Sequence, residues 1–224
     1  MLKELIELFR RESQLNQAFE RSQEMLMEDR EMFEAAVRSL REQDDARLDL
    51  DIFAKDQLIN AYEREVRRKV MTHLSVGGEP DVNAALVLAS VVIDIERIGD
   101  FTKNIVELAL HHPQRLVCGL FEEDIRKIET TVKTMFELLI EALPGTDEAK
   151  AKEVMSEHWW IARRSDELVN ILIEKNEPSL PGREAVTTAL YARYLKRVSA
   201  HLKNIASSVV NPFDKIGYRG DNSR

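Results

Sequence analysis

Glu96 and Asp100 stand four residues apart in the segment IERIGDFTKNI. In a helix that spacing puts both carboxylates on one face, where they can share a hard cation. Asn104 continues the line by one more turn. The same spacing also fits a solvated acidic stripe paired with Arg97, Lys103 or a neighbouring helix, so spacing alone leaves both readings open. Gly99, between the two acids, costs a helix interior about 1 kcal/mol relative to alanine and marks the close approach of another backbone or ligand.

Other chemistry is sparse. His73, His111, His112, His158 and His201 never form Glu-x-x-His, the spacing of ferritin-like di-iron bundles. Glu107 and His111 are four apart and can co-ligate, although a histidine at a helix C-terminus also suits the negative end of the dipole. Trp159-Trp160 puts one ring inward and one outward, where it can anchor a partner or complete the core. Glycine-rich phosphate loop, nucleophile elbow and catalytic Cys/His pair are all missing from the sequence, so neither an enzyme nor an organic cofactor is expected. Cys118, the single cysteine, excludes an intrachain disulfide and a multi-thiolate metal site and reads as a linker thiol.

A formal net charge of −8 and a pI near 5.3 argue against nucleic-acid binding, which needs a basic face, and against a polybasic membrane contact. No apolar run approaches the roughly 20 residues of a membrane span. The charged start Met1-Leu2-Lys3-Glu4 is unlike a signal peptide, so a cytoplasmic protein is expected.

These residues need helices to hold them. The hydrophobic share of 44%, the charged share of 32% and only 8 Gly and 6 Pro describe a long-helix composition. A short helix is expected at Leu2 to Arg11, then one over 12–42 with Leu15, Phe19, Leu26, Phe33, Val37 and Leu40 on one stripe. From the polar break Gln43-Asp44-Asp45 a second long helix starts, with Leu48, Ile52, Leu58, Ile59, Tyr62, Val66 and Val70 inward, and Gly77-Gly78 ends it. Pro80-Asp81 opens a third, which runs to His111 and stops at Pro113. The fourth covers 122–142 and ends at Pro144-Gly145, the fifth covers 147–175 and ends before Pro178, and the sixth runs from Pro181-Gly182 to Val210, where Asn211-Pro212 breaks it.

The third and sixth helices repeat one another without a gap: VVIDIERIGDFTKNI from Val91 matches YARYLKRVSAHLKNI from Tyr191, pairing Arg97 with Arg197 and Lys103-Asn104-Ile105 with Lys203-Asn204-Ile205. The expected architecture is therefore all-α, two tandem three-helix bundles: a first unit over 1–113, a linker over 114–120, a second unit over 121–211 and a flexible tail over 212–224.

At DIERIGDFTKNI the chain resembles the PhoU family of phosphate-signalling regulators, whose signature is an acidic residue, Arg-Ile-Gly-Asp, then Asn-Ile. The stretch DQLINAYEREV from Asp56 resembles that family's second helix. The resemblance implies a cytoplasmic, often dimeric protein that restrains phosphate uptake and phosphate-responsive signalling through phosphate transporter subunits and a sensor histidine kinase. It also implies a divalent or ferric metal held by an E(D)xxxD motif, which falls here on Glu96 and Asp100. Asp56 is then the first candidate for an extra ligand, with Asn60 and Glu63 behind it.

In the second unit Lys196 stands where the acid belongs, Ser199 replaces the glycine and Ala200 the aspartate, while His158 takes the place of Asp56. Protonated lysine is no metal ligand, so this unit is expected to hold no metal. Its Lys196 ammonium then serves as a local positive charge, with Arg193 and Arg197, for an acidic partner or an anion; salt bridges to the fifth helix are the competing reading. Two other functions remain open: an accessory protein of a different phosphate or cation transporter, and a metal-binding helical bundle with no phosphate role.

Overall fold

In the computed structural model, residues 14–75, 81–112, 114–174 and 180–218 are described. They form six long helices: α1 (Gln14–Arg41), α2 (Ile52–Ser75), α3 (Val82–His111), α4 (Glu122–Gly145), α5 (Glu148–Glu174) and α6 (Gly182–Val210). The expected leading helix at 2–11, the Gly77-Gly78 stop, Pro80, Pro113, Pro178 and residues 219–224 lie outside the described residues.

Local chemistry sets the helix ends. Asp81 caps α3, its carboxylate accepting from the Ala84 amide at 2.9 Å, and Asp51 does the same for α2 through Ala54 at 2.9 Å. Glu122, Glu123 and Asp124 fill the first turn of α4, where acids oppose the positive end of the helix dipole. Three expectations need correction. Residues 43–51 do not begin a helix; Ala46 takes a left-handed φ of 52° there, and α2 starts only where Asp51 supplies a cap. Leu58 is exposed while Ile59 beside it is buried, because adjacent residues on a helix point about 100° apart. The left-handed residue ending α4 is Thr146, at φ 49°, and not Gly145, which is the last helical residue.

Within the first unit α2 lies against α1 and α3, and within the second α5 lies against α4 and α6. The units meet where α3 packs along α6 and α1 meets α4, so four helices share the central core and α2 and α5 flank it. Phe33 and Phe136 pack at 5.5 Å between ring centroids across the α1–α4 contact. On the other side the repeat mates Phe101 and His201 stack at 5.7 Å, and Asp94 of α3 accepts from Asn204 at 2.8 Å and faces His201 Nδ1 at 2.7 Å.

A buried polar network fastens the junction. Arg41, at the end of α1, contacts Glu129 Oε1 at 2.8 Å and Glu122 Oε1 at 2.7 Å on α4, and donates to the Leu116 carbonyl. The Tyr191 hydroxyl from α6 adds a hydrogen bond to Glu129 at 2.8 Å. Burial works against ionising Glu122, but hydrogen bonds from Arg41, the Cys118 amide and Arg126 outweigh it and hold the carboxyl down at about 2. The 114–120 connection is packed, with Leu116 and Cys118 buried, and burial pushes the Cys118 thiol up to about 11, which makes it a poor nucleophile. Beyond α6, residues 211–218 fold back: Asn211 Nδ2 donates to the Lys215 and Tyr218 carbonyls at 3.1 Å each, and Gly217 N donates to Ser207 Oγ at 2.7 Å.

Candidate functional site

Acidic side chains from three helices converge on the middle of α3. Glu96 and Asp100 project from α3 itself, and Asp56 faces them from α2. Lys103 Nζ lies between two of these acids, 3.0 Å from Asp56 Oδ2 and 3.3 Å from Asp100 Oδ1. Arg97 Nη1 holds the other Asp100 oxygen at 2.7 Å, and its Nε stands 3.5 Å from Glu96. Asn60 Nδ2 donates to Asp56 at 3.4 Å, and Glu63 is tied to Arg67 at 2.8 Å while its charge still acts on Glu96. Glu96 and Asp100, singled out by spacing, and Asp56, named through the family resemblance, are thus neighbours, and the pairing of Asp100 with Arg97 and Lys103 is the one that the acidic-stripe reading expects.

Burial, followed by the charge of Asp100, raises the Glu96 carboxyl above its ordinary value, with Arg97 opposing. Burial also disfavours the Lys103 ammonium, but its bonds to Asp56 and Asp100 reverse the balance and raise it. Positive charge is therefore firmly held among these acids.

Sequence reasoning missed Asp29. This α1 residue is completely buried, and neither carboxylate oxygen has a hydrogen-bond partner. Burial comes first, then the charges of Glu96, Asp56, Glu28 and Asp100, in pushing its carboxyl well above the usual range. It sits directly under Gly99: a Cβ there would meet Asp29 Oδ1 at 3.0 Å and Ile59 at 3.6 Å. Close approach, the role the mid-helix glycine implied, is therefore to a side chain of α1. A signal was present, since Asp29 falls in phase with Met25, Leu26, Met32 and Phe33, all buried.

Among the described residues no three carboxylate, imidazole or thiol groups are gathered closely enough to form a finished metal cage. The donors are all hard oxygens, and the buried, unpartnered Asp29 carboxylate beside three other acids is the feature of this set that a hard cation would suit.

The equivalent place in the second unit is built from other chemistry. Lys196 Nζ is held by both oxygens of Asp166 on α5, at 2.7 and 2.6 Å, and Arg193 reaches the same carboxylate at 4.0 Å. Arg197 lies over the Phe101 ring at 5.2 Å. Arg193 and Lys196 thus share one acid while Arg197 has turned to the α3 side, and the three are not gathered around one point. Ser199 Oγ donates to the Lys196 carbonyl at 2.8 Å, which leaves its lone pairs to receive His158 Nδ1 at 2.9 Å. Burial, then Lys203 and Lys196, lowers His158 to about 4, so the imidazole is neutral. Lys203 is buried, which lowers its ammonium despite Asp94, and it donates to the Gly217 carbonyl. Trp159 is the outward ring of the tryptophan pair, and Lys127 covers Trp160 at 4.8 Å.

The PhoU domain model matches residues 22–109 and again 125–209. The chain belongs to the PhoU family. Each match covers most of one three-helix unit, so the repeat seen in α3 and α6 extends over both units. The fold is similar to that of PhoU from Pseudomonas aeruginosa, with a TM-score of 0.77 at 22% identity over 90% of this chain and 97% of that one. It is also similar to the phosphate transport system regulatory protein PhoU from Streptococcus pneumoniae, with a TM-score of 0.65 at 19% identity over 88% and 91% of the two chains. No curated protein matches the chain in sequence. Among the described residues no helix is long and apolar enough to cross a membrane.

Proposed function

We propose that this PhoU-family chain regulates phosphate transport and phosphate-responsive signalling by binding other proteins, with a metal ion on the first unit as an accessory. The carrying observation is the double match to the family, one per three-helix unit, on a fold shared over nine-tenths of the chain with a PhoU protein. The name of the pneumococcal relative, a phosphate transport system regulatory protein, supplies the process. Contact surface is available: on α3 and α6, Val82, Leu86, Ile93, Val186 and Leu190 are exposed apolar residues. Its partners are phosphate transporter subunits and a sensor histidine kinase, and the working form is a homodimer in the cytoplasm. Asp56, Glu96 and Asp100 would hold the metal, which when bound would neutralise their mutual repulsion and tie α2 to α3.

The test is genetic and biochemical together. Deleting the gene is expected to raise phosphate uptake in phosphate-rich medium and to release phosphate-starvation gene expression, and the tagged full chain is expected to retain a phosphate-transporter ATPase or a histidine kinase. Unchanged uptake with unchanged starvation genes would overturn the proposal. Capture of a single-chain permease alone would move the function to a different transporter.

A further inference from the structure

Asp29 belongs to neither of the motifs that single out Glu96, Asp100 and Asp56, and its position on α1 puts it outside the helix pair that carries them. Three observations make it part of the same site. First, its carboxylate is wholly buried with both oxygens unpartnered, an arrangement unfavourable for the ionised acid unless a proton or a cation compensates it. Second, it is aimed at the one stretch of α3 backbone that carries no side chain, Gly99, between Glu96 and Asp100.

The third observation comes from the repeat. Matching the buried pairs Met32 with Met135, Phe33 with Phe136 and Leu40 with Leu143 sets Asp29 of α1 opposite Val132 of α4. Matching Ile52, Ile59 and Val66 with Val154, Ile161 and Leu168 sets Asp56 opposite His158. The acids Asp29, Asp56, Glu96 and Asp100 of the first unit are therefore Val132, His158, Lys196 and Ala200 in the second. All four change together, and the glycine that makes room for Asp29 becomes Ser199. A buried aspartate kept for packing alone would have no reason to share the fate of the other three.

We infer that Asp29 is a fourth ligand of the first-unit metal, reaching it from α1 beneath Gly99, and that Lys103 is the cation this metal displaces. With Asp29 included, the ion is held by three helices instead of two. The Lys103 ammonium bridges Asp56 and Asp100, so a metal drawn toward Asp29 must move it aside. This rests on the metal reading above.

The experiment measures Mn2+ binding to the full chain by the loss of the free-ion electron paramagnetic resonance signal, together with thermal unfolding with and without Mn2+. Wild type, Asp29→Asn, Lys103→Met and the Glu96→Gln, Asp100→Asn double variant are compared. Asp29→Asn keeps the shape of the side chain, and circular dichroism confirms its fold. The expected result is that wild type binds Mn2+ and that Asp29→Asn binds it at least about tenfold more weakly, since even outer-sphere partners of a metal cost ten- to a hundredfold. On adding Mn2+, Asp29→Asn should gain less in melting temperature than wild type, because a neutral amide replaces a carboxylate ligand. Lys103→Met should bind more tightly than wild type. Equal affinity in Asp29→Asn and wild type, with binding lost in the double variant, would overturn the role of Asp29 and leave the three-acid site standing. Absence of Mn2+ binding by wild type would overturn the metal reading and this inference with it.

Discussion

The two units carry the same helices and opposite chemistry at one equivalent place. In the first, four acids meet Lys103 and Arg97, and one of them, Asp29, is left with no partner. In the second, Lys196 brings its own counter-ion in Asp166, His158 is paired with Ser199, and an apolar Val132 stands where Asp29 would. In the second unit Lys196 and His158 are paired within the chain, whereas in the first the Asp29 carboxylate has no hydrogen-bond partner. Duplication has thus left two units with the same helices and different charge chemistry at one equivalent place.

That junction offers the sharpest way to break the comparison. Arg41→Ala leaves the buried Glu129 without its cation and should cost about 3 to 5 kcal/mol. Urea unfolding followed by Trp159 and Trp160 fluorescence and by circular dichroism measures it; a loss confined to one unit would show that the units are not coupled. Next in size, Asp29→Leu, apolar and of similar shape, should stabilise the metal-free protein by about 1 to 3 kcal/mol, the usual cost of an unsatisfied buried polar group. A loss of stability in the same urea titration would mean that Asp29 is already satisfied.

The His158 pair tests the second unit through pH. Its folded value of about 4 lies below the ordinary 6.5, so the unfolded chain takes up the proton first. His158 therefore contributes stability fully above about pH 6.5 that is lost as the pH falls through about 4. A His158→Gln variant should lose less stability than wild type between pH 7 and 4, and identical slopes would contradict a buried neutral imidazole. The smallest effect belongs to Lys196→Ala, expected within about 1 kcal/mol because Asp166 is half exposed and such pairs are weak and salt-screened. A clearly larger loss would mark Lys196 as more than a self-paired surface cation.

Much of this was legible in the residues. Six helices, the repeat between α3 and α6 and the shared face of Glu96 and Asp100 follow from periodicity, punctuation and a gapless internal match, while Asp56 enters only through the family resemblance. Asp29 escaped because a lone acid in an apolar stripe shows its meaning only when the facing helix is known, and Gly99 signalled a close approach without saying to what. The Arg41 network escaped for a related reason: Arg41, Glu122, Glu129 and Tyr191 come from three helices far apart in the chain. The polar break at Gln43-Asp44-Asp45 and the apolar Leu48 read as a helix start, yet α2 begins only after the cap at Asp51.

The central claim is that the first unit holds a metal and the second does not. Elemental analysis of purified protein after dialysis without chelator tests it most directly, with wild type beside the Glu96→Ala, Asp100→Ala double variant and Lys196→Ala. Metal is expected in wild type and in Lys196→Ala and none in the double variant; wild type without metal, or metal that survives loss of both acids, would overturn the metal reading of the first unit.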